Sequence, residues 1–325
     1  VIVKLVMRVF ETLNGIPKSL SYPVIAIGVF DGVHRGHQEI IQKMVARTRE
    51  RSGTAILLSF FPHPQKVIAS GDAPPLLQTF QQRAELLEQL GIDIFMRLPF
   101  TRRLSLKTPE EFVQQVLLPT GAKEVHVGGN FRFGHRRAGN LETLALLGDT
   151  YGYRVHHTEP VYFRGCRVSS TRVRNVIKEG RVSLAKRLLG RPYEVRGNVV
   201  RGARKGAELG FPTANLKPEN ELLPATGVYV TRAFVGEHSY LGATNVGFRP
   251  TVHGYVAPEP TIETHLFDFS GNLYGQEMTV EFCFRLRDEK RFDGLEALTN
   301  QVQVDIRRCG RYFERIEPIL ETGSK

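Results

Sequence analysis

Apolar runs and helical patterns alternate along the chain up to about residue 190. Runs typical of buried strands occupy residues 24–27, 54–60, 92–98 and 124–127. Helical spacing of apolar residues appears over 40–45 and 79–90, behind the cap Thr108, and over 141–147. This alternation predicts an α/β unit with an open, mostly parallel sheet and helices on both faces. Ligands of such sheets bind beyond the carboxyl ends of the strands.

The pattern changes after Arg191-Pro192. Short β-rich runs, separated by Gly, Pro and Asn, cover residues 193–200, 227–235, 239–244, 261–269 and 278–286. One helix follows, capped by Asp293 with Glu296 three residues later. These features predict a compact antiparallel β-barrel with a terminal helix. The helical stretch 170–189 is predicted to link two domains, which we assign to residues 1–186 and 187–325.

A glycine-rich turn carries the candidate chemistry of the first domain. Residues 28–37 read Gly-Val-Phe-Asp-Gly-Val-His-Arg-Gly-His and follow the first buried run directly. His34 and His37 therefore fall where the loop becomes a helix, beside unpaired backbone N–H groups and the positive end of the helix dipole. A phosphate is the natural ligand of such a junction, and the glycines allow the backbone to approach it closely.

Two imidazoles near a helix start can donate hydrogen bonds to the α-phosphate of a nucleotide while pyrophosphate departs. This arrangement favours nucleotidyl transfer without a covalent intermediate. The chain contains no Gly-x4-Gly-Lys-Ser/Thr sequence, which excludes an ordinary P-loop. The alternatives for His34 and His37 are surface residues at a helix cap or metal ligands.

The composition of the chain indicates which kinds of molecule the protein binds. The net charge of +11 and the isoelectric point near 9.7 indicate an anionic partner. Basic residues are scattered, which favours a solvated surface or local phosphate sites over one long nucleic-acid stripe. The three cysteines form no Cys-x-x-Cys pair, and no apolar run approaches membrane-spanning length. We expect a cytoplasmic enzyme with no nucleic-acid or membrane partner and, at most, a weak homo-oligomer. Met7 resembles a native start, so residues 1–6 are expected to be an extension.

Five short blocks, in order, resemble those of the bifunctional prokaryotic FAD synthetases, which combine a riboflavin kinase with an FMN adenylyltransferase. They are the turn at 28–37, Phe-Phe-Pro-His-Pro at 60–64, Val-Gly-Gly-Asn-Phe-Arg-Phe-Gly at 127–134, Val-Ser-Ser-Thr-Arg-Val-Arg at 168–174 and Leu-Gly-Phe-Pro-Thr-Ala-Asn at 209–215. The similarity extends over essentially the whole chain. It implies a Rossmann-like nucleotidyltransferase domain followed by a β-barrel kinase domain.

For the first domain the resemblance implies that His34 and His37 are catalytic. The implied ATP-binding residues are Gly28, Phe30, Asn130, Arg167, Ser170, Thr171 and Arg174. His63 would orient the acceptor phosphate of the flavin, or it is a rigid loop element between two prolines. Many relatives have Asp where this chain has Asn130. The alternative for Ser170 and Thr171 is a simple N-cap of the following helix.

For the second domain the resemblance implies ATP contacts from Gly210, Pro212, Thr213 and Asn215, with Thr213 and Asn215 also binding Mg²⁺. Glu263 matches the catalytic glutamate that would accept the proton of the riboflavin 5′-hydroxyl. The competing interpretation of residues 210–215 is an ordinary Pro-containing turn. The competing interpretation of Glu263 is a structural salt bridge. Relatives carry Gly-Arg where this chain has Gly206-Ala207, so Arg204 or Lys205 is expected to supply the phosphate contact.

The predicted function is therefore the conversion of riboflavin and ATP to FMN, and of FMN and ATP to FAD and pyrophosphate, both with Mg²⁺. Two alternatives remain open. One is a nucleotidyltransferase for another phosphorylated acceptor, fused to a barrel with a different task. The other is a basic nucleic-acid-binding protein, which would bind DNA or RNA with a strong salt dependence.

Overall fold

The computed structural model describes residues 6–68, 73–202, 205–248 and 260–322. The chain folds into two compact units, Val1–Ser170 and Thr171–Lys325. The predicted boundary between residues 186 and 187 falls inside a helix of the second unit. It stays a prediction of where a separable domain begins.

The first unit is built on a six-stranded, entirely parallel sheet. Its strands are β1 (Arg8–Phe10), β2 (Pro23–Ile27), β3 (Thr54–Phe61), β4 (Ile94–Pro99), β5 (Glu124–Gly128) and β6 (Arg154–Thr158). They lie in the order β1-β4-β3-β2-β5-β6. The order reverses between β2 and β5, and the crevice at such a reversal is where open α/β sheets bind ligands. The short strands β7 (Tyr162–Phe163) and β8 (Cys166–Arg167) form a separate hairpin.

Helices cover both faces of this sheet, as predicted. They are α1 (Arg35–Glu50), α2 (Pro64–Ile68), α3 (Phe80–Gln89), α4 (Arg102–Ser105), α5 (Pro109–Phe112) and α6 (Leu141–Tyr151). Every residue of β2 is buried, with Ile25 and Ile27 in one apolar core and Val24 and Ala26 in another. The predicted cap at Thr108 is present, because its hydroxyl accepts from the backbone N–H of Glu111. The sequence pattern missed β1 and β6, which are short edge strands of mixed polarity.

The second unit is a closed barrel of six antiparallel strands. Helices α7 (Ser170–Lys178) and α8 (Val182–Leu189) come first, α9 (Lys205–Glu208) lies between two strands, and α10 (Leu295–Thr322) ends the unit. The strands are β9 (Tyr193–Val200), β10 (Ala214–Pro218), β11 (Gly227–Val235), β12 (His238–Phe248), β13 (Pro260–Leu266) and β14 (Glu277–Arg287). They close in the order β10-β13-β12-β11-β14-β9. The barrel and terminal helix match the prediction.

Side-chain alternation decides which residues of the barrel face outward. Hydroxyls of Thr231, Thr244 and Thr264 form a buried chain, with oxygen separations of 2.7 and 2.9 Å. Ile262 and Leu266 are buried with Thr264 on the same face of β13. Because successive side chains of a strand point to opposite faces, the odd-numbered residues of β13 lie on the outer surface. Among the described residues, no helix is long and apolar enough to cross a membrane.

Candidate active sites

Buried contacts hold the turn after β2, and the last residues of this turn lead into α1. The backbone N–H of Gly28 donates to the Leu58 carbonyl at 3.1 Å. Both carboxylate oxygens of the buried Asp31 accept from the backbone N–H of Leu77, at 3.0 and 3.2 Å. Gly32 has φ of +83°, and a Cβ there would lie 2.5 Å from a Leu77 methyl carbon. Only glycine fits this position without rearrangement.

His34 is the N-cap of α1, and this role fixes its tautomer. Its Nδ1 accepts from the backbone N–H of His37 at 3.3 Å. Since Nδ1 is the acceptor, the proton of the neutral ring lies on Nε2. His34 is buried, and its ring stacks on that of His37 with centroids 3.7 Å apart. The sequence prediction of two adjacent imidazoles at the helix start is therefore seen in the structure.

His37 is held neutral by its surroundings. Burial is the main cause that lowers its pKa well below the usual range, and the nearby His34, Arg83 and Arg167 add to it. Its ring lies 5.0 Å from that of Phe30, a buried residue with φ of +51°. The Nδ1 atom of His37 is buried and has no hydrogen-bond partner in the described part of the chain. A neutral imidazole in this position offers one donor and one acceptor.

Polar residues from two later segments gather around this turn. Arg167 donates a hydrogen bond of 2.6 Å to Oδ1 of Asn130, just beyond the carboxyl end of β5. Both side chains are exposed, and the charge of Arg167 acts on His37. The Ser170 hydroxyl donates to the Asp31 carbonyl at 2.9 Å. The structure thus brings together Gly28, Phe30, His34, His37, Asn130, Arg167 and Ser170.

Three further residues were predicted for this site, namely His63, Thr171 and Arg174. His63 lies two residues beyond β3, where its Nδ1 accepts from the Gln65 N–H at 3.2 Å. Thr171 is exposed and Arg174 is buried, and both are on α7 in the second unit. Their assignments to the flavin and to ATP stay predictions.

Arg83 also lies beside this turn, although it was not among the predicted site residues. This residue of α3 is buried, and its guanidinium donates to the Val29 carbonyl at 3.2 Å. Arg83 lies four residues before the buried Leu87, on the apolar face of the helix. A charged residue at a core position was the available signal, because such residues are seldom buried without a specific role.

A cavity of about 400 Å³ lies in the second unit. Its wall includes Thr213, Asn245, Glu263, His265, Arg287 and Phe292. Glu263 pairs with Asn215 on one side and with Asn245 on the other, so the three residues form a row across β10, β13 and β12. Asn215 is buried in that row. Because directly paired residues point to the same face of a sheet, a carboxylate and two carboxamides share this outer surface.

The side chain of Glu263 forms no hydrogen bond or ion pair with any residue that the structure describes. This disfavours the interpretation of Glu263 as a structural salt-bridge partner. His265, two residues later, shares the cavity as expected from strand periodicity. Its Nδ1 lies 2.9 Å from the Pro212 carbonyl and donates to it, which fixes the segment that leads into Thr213.

Two further features shape the cavity. Gly210 has φ of +83°, in the turn before Pro212. Arg287 makes a double contact with Asp305 of α10, with nitrogen–oxygen distances of 2.7 to 3.2 Å, and it lies against the Phe292 ring. The predicted phosphate contacts, Arg204 and the side chain of Lys205, lie outside the described residues.

Comparison with known proteins identifies the family. The FAD synthetase family model matches residues 16–172, and the riboflavin kinase family model matches residues 189–313. The bifunctional riboflavin kinase/FMN adenylyltransferase of Pseudomonas fluorescens is 38% identical over 284 residues, covering 87% of this chain and 90% of the relative. The Bacillus subtilis protein of the same description is 32% identical, covering 90% and 93%.

A crystal structure of a Streptococcus pneumoniae protein, described as a macrolide-efflux protein, has a TM-score of 0.84 and 29% identity. The match covers 93% of this chain and 98% of that one. The two family models fall on the parallel-sheet unit and on the six-stranded barrel, which together make a two-domain transferase. The chain belongs to the FAD synthetase family of bifunctional riboflavin kinases and FMN adenylyltransferases. The predicted family and fold are confirmed.

Proposed function

We propose that this chain performs its two reactions at two separate sites. Riboflavin kinase activity, which makes FMN, is assigned to the barrel cavity beside Glu263. FMN adenylyltransferase activity, which makes FAD, is assigned to the turn that carries His34 and His37. The observation that carries this division is that each unit contains its own set of polar residues, one at the ends of β2 and β5 and one on the cavity wall.

In the adenylyltransferase site, His34 and His37 would donate hydrogen bonds to the α-phosphate of ATP. The N-cap tautomer supports this role for His34, because its ring proton lies on Nε2. The lowered pKa of His37 supports the same role, because a neutral His37 ring can donate through its N–H without first losing a proton. Negative charge that develops on the phosphate would also be stabilised by the N-terminus of α1.

Arg167 and Asn130 would hold the nucleotide next to these histidines. Their hydrogen bond of 2.6 Å orients the guanidinium, which can contact phosphate oxygens through its remaining N–H groups. Gly28, Phe30, Ser170, Thr171 and Arg174 complete the proposed ATP-binding set. His63, at the end of the neighbouring strand, would contact the phosphate of FMN.

In the kinase site, Glu263 would accept the proton of the riboflavin 5′-hydroxyl as that oxygen attacks the γ-phosphate of ATP. Its support is a carboxylate on a cavity wall that no described residue neutralises. Gly210, Pro212, Thr213 and Asn215 are proposed as the ATP contacts. The volume of the cavity lies within the range of small-molecule sites.

Mg²⁺ would be held by Thr213 and Asn215. The fit rests on donor chemistry, because a hydroxyl on the cavity wall and a buried carboxamide two residues later are hard oxygen ligands of the type that Mg²⁺ prefers. When bound, Mg²⁺ neutralises phosphate charge. Glu263 itself orients the riboflavin hydroxyl and takes its proton.

We also propose that the enzyme acts in the cytoplasm on small molecules, without nucleic acid, and that any homo-oligomer is weak. Sedimentation of the purified chain tests whether any homo-oligomer is weak.

To test the two activities, the chain is incubated with MgATP and either riboflavin or FMN, and the flavins are separated by chromatography. Both FMN from riboflavin and FAD from FMN are expected. Failure of either reaction with folded protein would overturn the corresponding assignment.

A further inference from the structure

Two histidines and a glutamate meet on the sheet of the first unit, away from the proposed ATP site. Glu124 and His126 lie two residues apart on β5 and therefore on one face of the sheet. His156 of β6 is the direct register partner of His126. One ligand atom from each of the three residues lies within 4.8 Å of the other two.

The Nε2 atoms of both histidines in this cluster are buried without hydrogen bonds. Glu124 is fully buried, and His126 is 4% exposed. The Nε2 atoms of His126 and His156 have no hydrogen-bond partner among the described residues. Oε2 of Glu124 is 2.8 Å from Nε2 of His156, but the two groups do not have hydrogen-bond geometry. Buried polar nitrogens normally have a partner, so two adjacent exceptions need an explanation.

Hydrogen bonds from residues outside the cluster fix the carboxylate of Glu124, as they do for carboxylate ligands in metal sites. The Tyr22 hydroxyl donates to Oε1 of Glu124 at 2.8 Å, and Nε of Arg47 donates to both oxygens at 3.1 and 3.0 Å. Burial acts to raise the pKa of Glu124, but the hydrogen bonds from Arg47 and Tyr22 outweigh it and keep the pKa below its usual value. Ligating carboxylates are commonly hydrogen-bonded by such a second layer of residues.

We propose that Glu124, His126 and His156 bind a divalent transition metal of the Zn²⁺ type. Two imidazoles and one carboxylate form a three-residue ligand set that Zn²⁺ uses, with water as the fourth ligand. The His156 side chain is 40% exposed, which gives the ion a route from solvent. Mg²⁺ is not expected here, because it prefers oxygen ligands.

The test uses the full-length chain, stripped of metal with a chelator and titrated with Zn²⁺ by calorimetry in excess Mg²⁺. Co²⁺ then provides a visible spectrum that reports histidine coordination. We compare the wild-type chain with His126→Gln, His156→Gln and the control His157→Gln. His157 is the neighbouring residue of β6, and its ring contacts Glu159 instead.

The wild-type chain and His157→Gln should bind one equivalent of Zn²⁺. His126→Gln and His156→Gln should lose that equivalent, with affinity falling by more than the roughly 10- to 100-fold typical of an outer-layer partner. The partly exposed His156 allows its variant to fold even if His126→Gln does not, which circular dichroism checks. Equal Zn²⁺ binding by wild type and His156→Gln, or no binding by the wild type, would overturn the site.

Discussion

The imidazole rings of His34 and His37 stack with their centroids 3.7 Å apart and their planes inclined by 16°. At this separation a charge on one ring opposes a charge on the other, and His34 is among the causes that lower the pKa of His37. His37 is therefore held neutral at the start of α1, stacked on an imidazole whose Nδ1 accepts a hydrogen bond. The proposed adenylyl transfer depends on these two rings.

Replacing either histidine should affect only one reaction. We expect His34→Ala and His37→Ala to slow FAD formation from FMN by roughly 100- to 1000-fold, the cost of one transition-state donor. FMN formation from riboflavin should stay near the wild-type rate. Because His34 also caps α1, His34→Asn is the matched variant: it keeps a capping side chain but lacks the imidazole. Normal FAD synthesis by His34→Asn would show that capping is the role of His34.

Glu263→Gln should have the opposite selectivity. The substitution preserves size and shape, so riboflavin should still bind, while phosphorylation should fall by roughly 100- to 10,000-fold if the carboxylate is the base. FAD formation from FMN should be unchanged. The control is Glu237→Gln, at an exposed position in the turn between β11 and β12. Near-normal phosphorylation by Glu263→Gln would remove Glu263 from the mechanism.

The lowered pKa of His37 predicts an acid-sensitive first unit. In the unfolded chain His37 takes up a proton near its ordinary pKa of about 6.5, whereas the folded residue stays neutral. As the pH is lowered below that value, the free energy of unfolding should therefore decrease, by at most about 1.4 kcal/mol per pH unit from this residue. Denaturant titrations between pH 5 and 7 measure this. The fall should be shallower in His37→Gln than in the wild type and unchanged in His157→Gln; identical slopes in all three would contradict the neutral state.

The pair between Arg287 and Asp305 should stabilise the barrel strongly. Their side chains are 12% and 4% exposed, so Asp305→Ala would leave a buried guanidinium without its counter-ion. Loss of one partner of such a pair costs about 3–5 kcal/mol. The exposed pair of Arg181 and Glu179 is the control, and Glu179→Ala should cost about 0.5 kcal/mol or less. Similar losses in the two variants would show that Asp305 does not compensate Arg287.

The kinase domain should be separable. We expect fragments 171–325 and 186–325 to fold, to phosphorylate riboflavin and to make no FAD. The longer fragment should be more stable, by roughly 2–5 kcal/mol, because the shorter one lacks Val182 and Ala185, which are buried on α8. Thermal melts and FMN assays decide this. A folded fragment 171–325 without kinase activity would mean that the kinase site needs residues of the first unit.

Much of the architecture could be predicted because its signals are local. Apolar runs such as 24–27 mark central strands buried on both faces, and the Thr108 cap marks a helix start. Strand β10 could not be found in this way, because Ala214–Pro218 is short, ends in proline and reads as a turn. Its place becomes clear only from its pairing with β9 and β13.

Prediction of the two candidate sites was limited in the same way, because a sequence shows only local signals. The resemblance implied roles for His34, His37 and Glu263, but the contacts between them and distant residues are not visible in a sequence. The hydrogen bond of Asn130 with Arg167 spans 37 residues, and the row of Asn215, Glu263 and Asn245 depends on strand register. Such relationships arise from tertiary packing, which no local pattern records.

The most direct test of two separate sites combines the two inactive variants. His37→Ala alone should convert riboflavin to FMN and stop, and Glu263→Gln alone should convert FMN to FAD but leave riboflavin unchanged. An equimolar mixture of the two, given riboflavin and MgATP, should again produce FAD, since FMN released by the first variant is a substrate for the second. Chromatography of the flavins measures this. If each variant loses both reactions, or the mixture makes no FAD from riboflavin, the two-site account is contradicted.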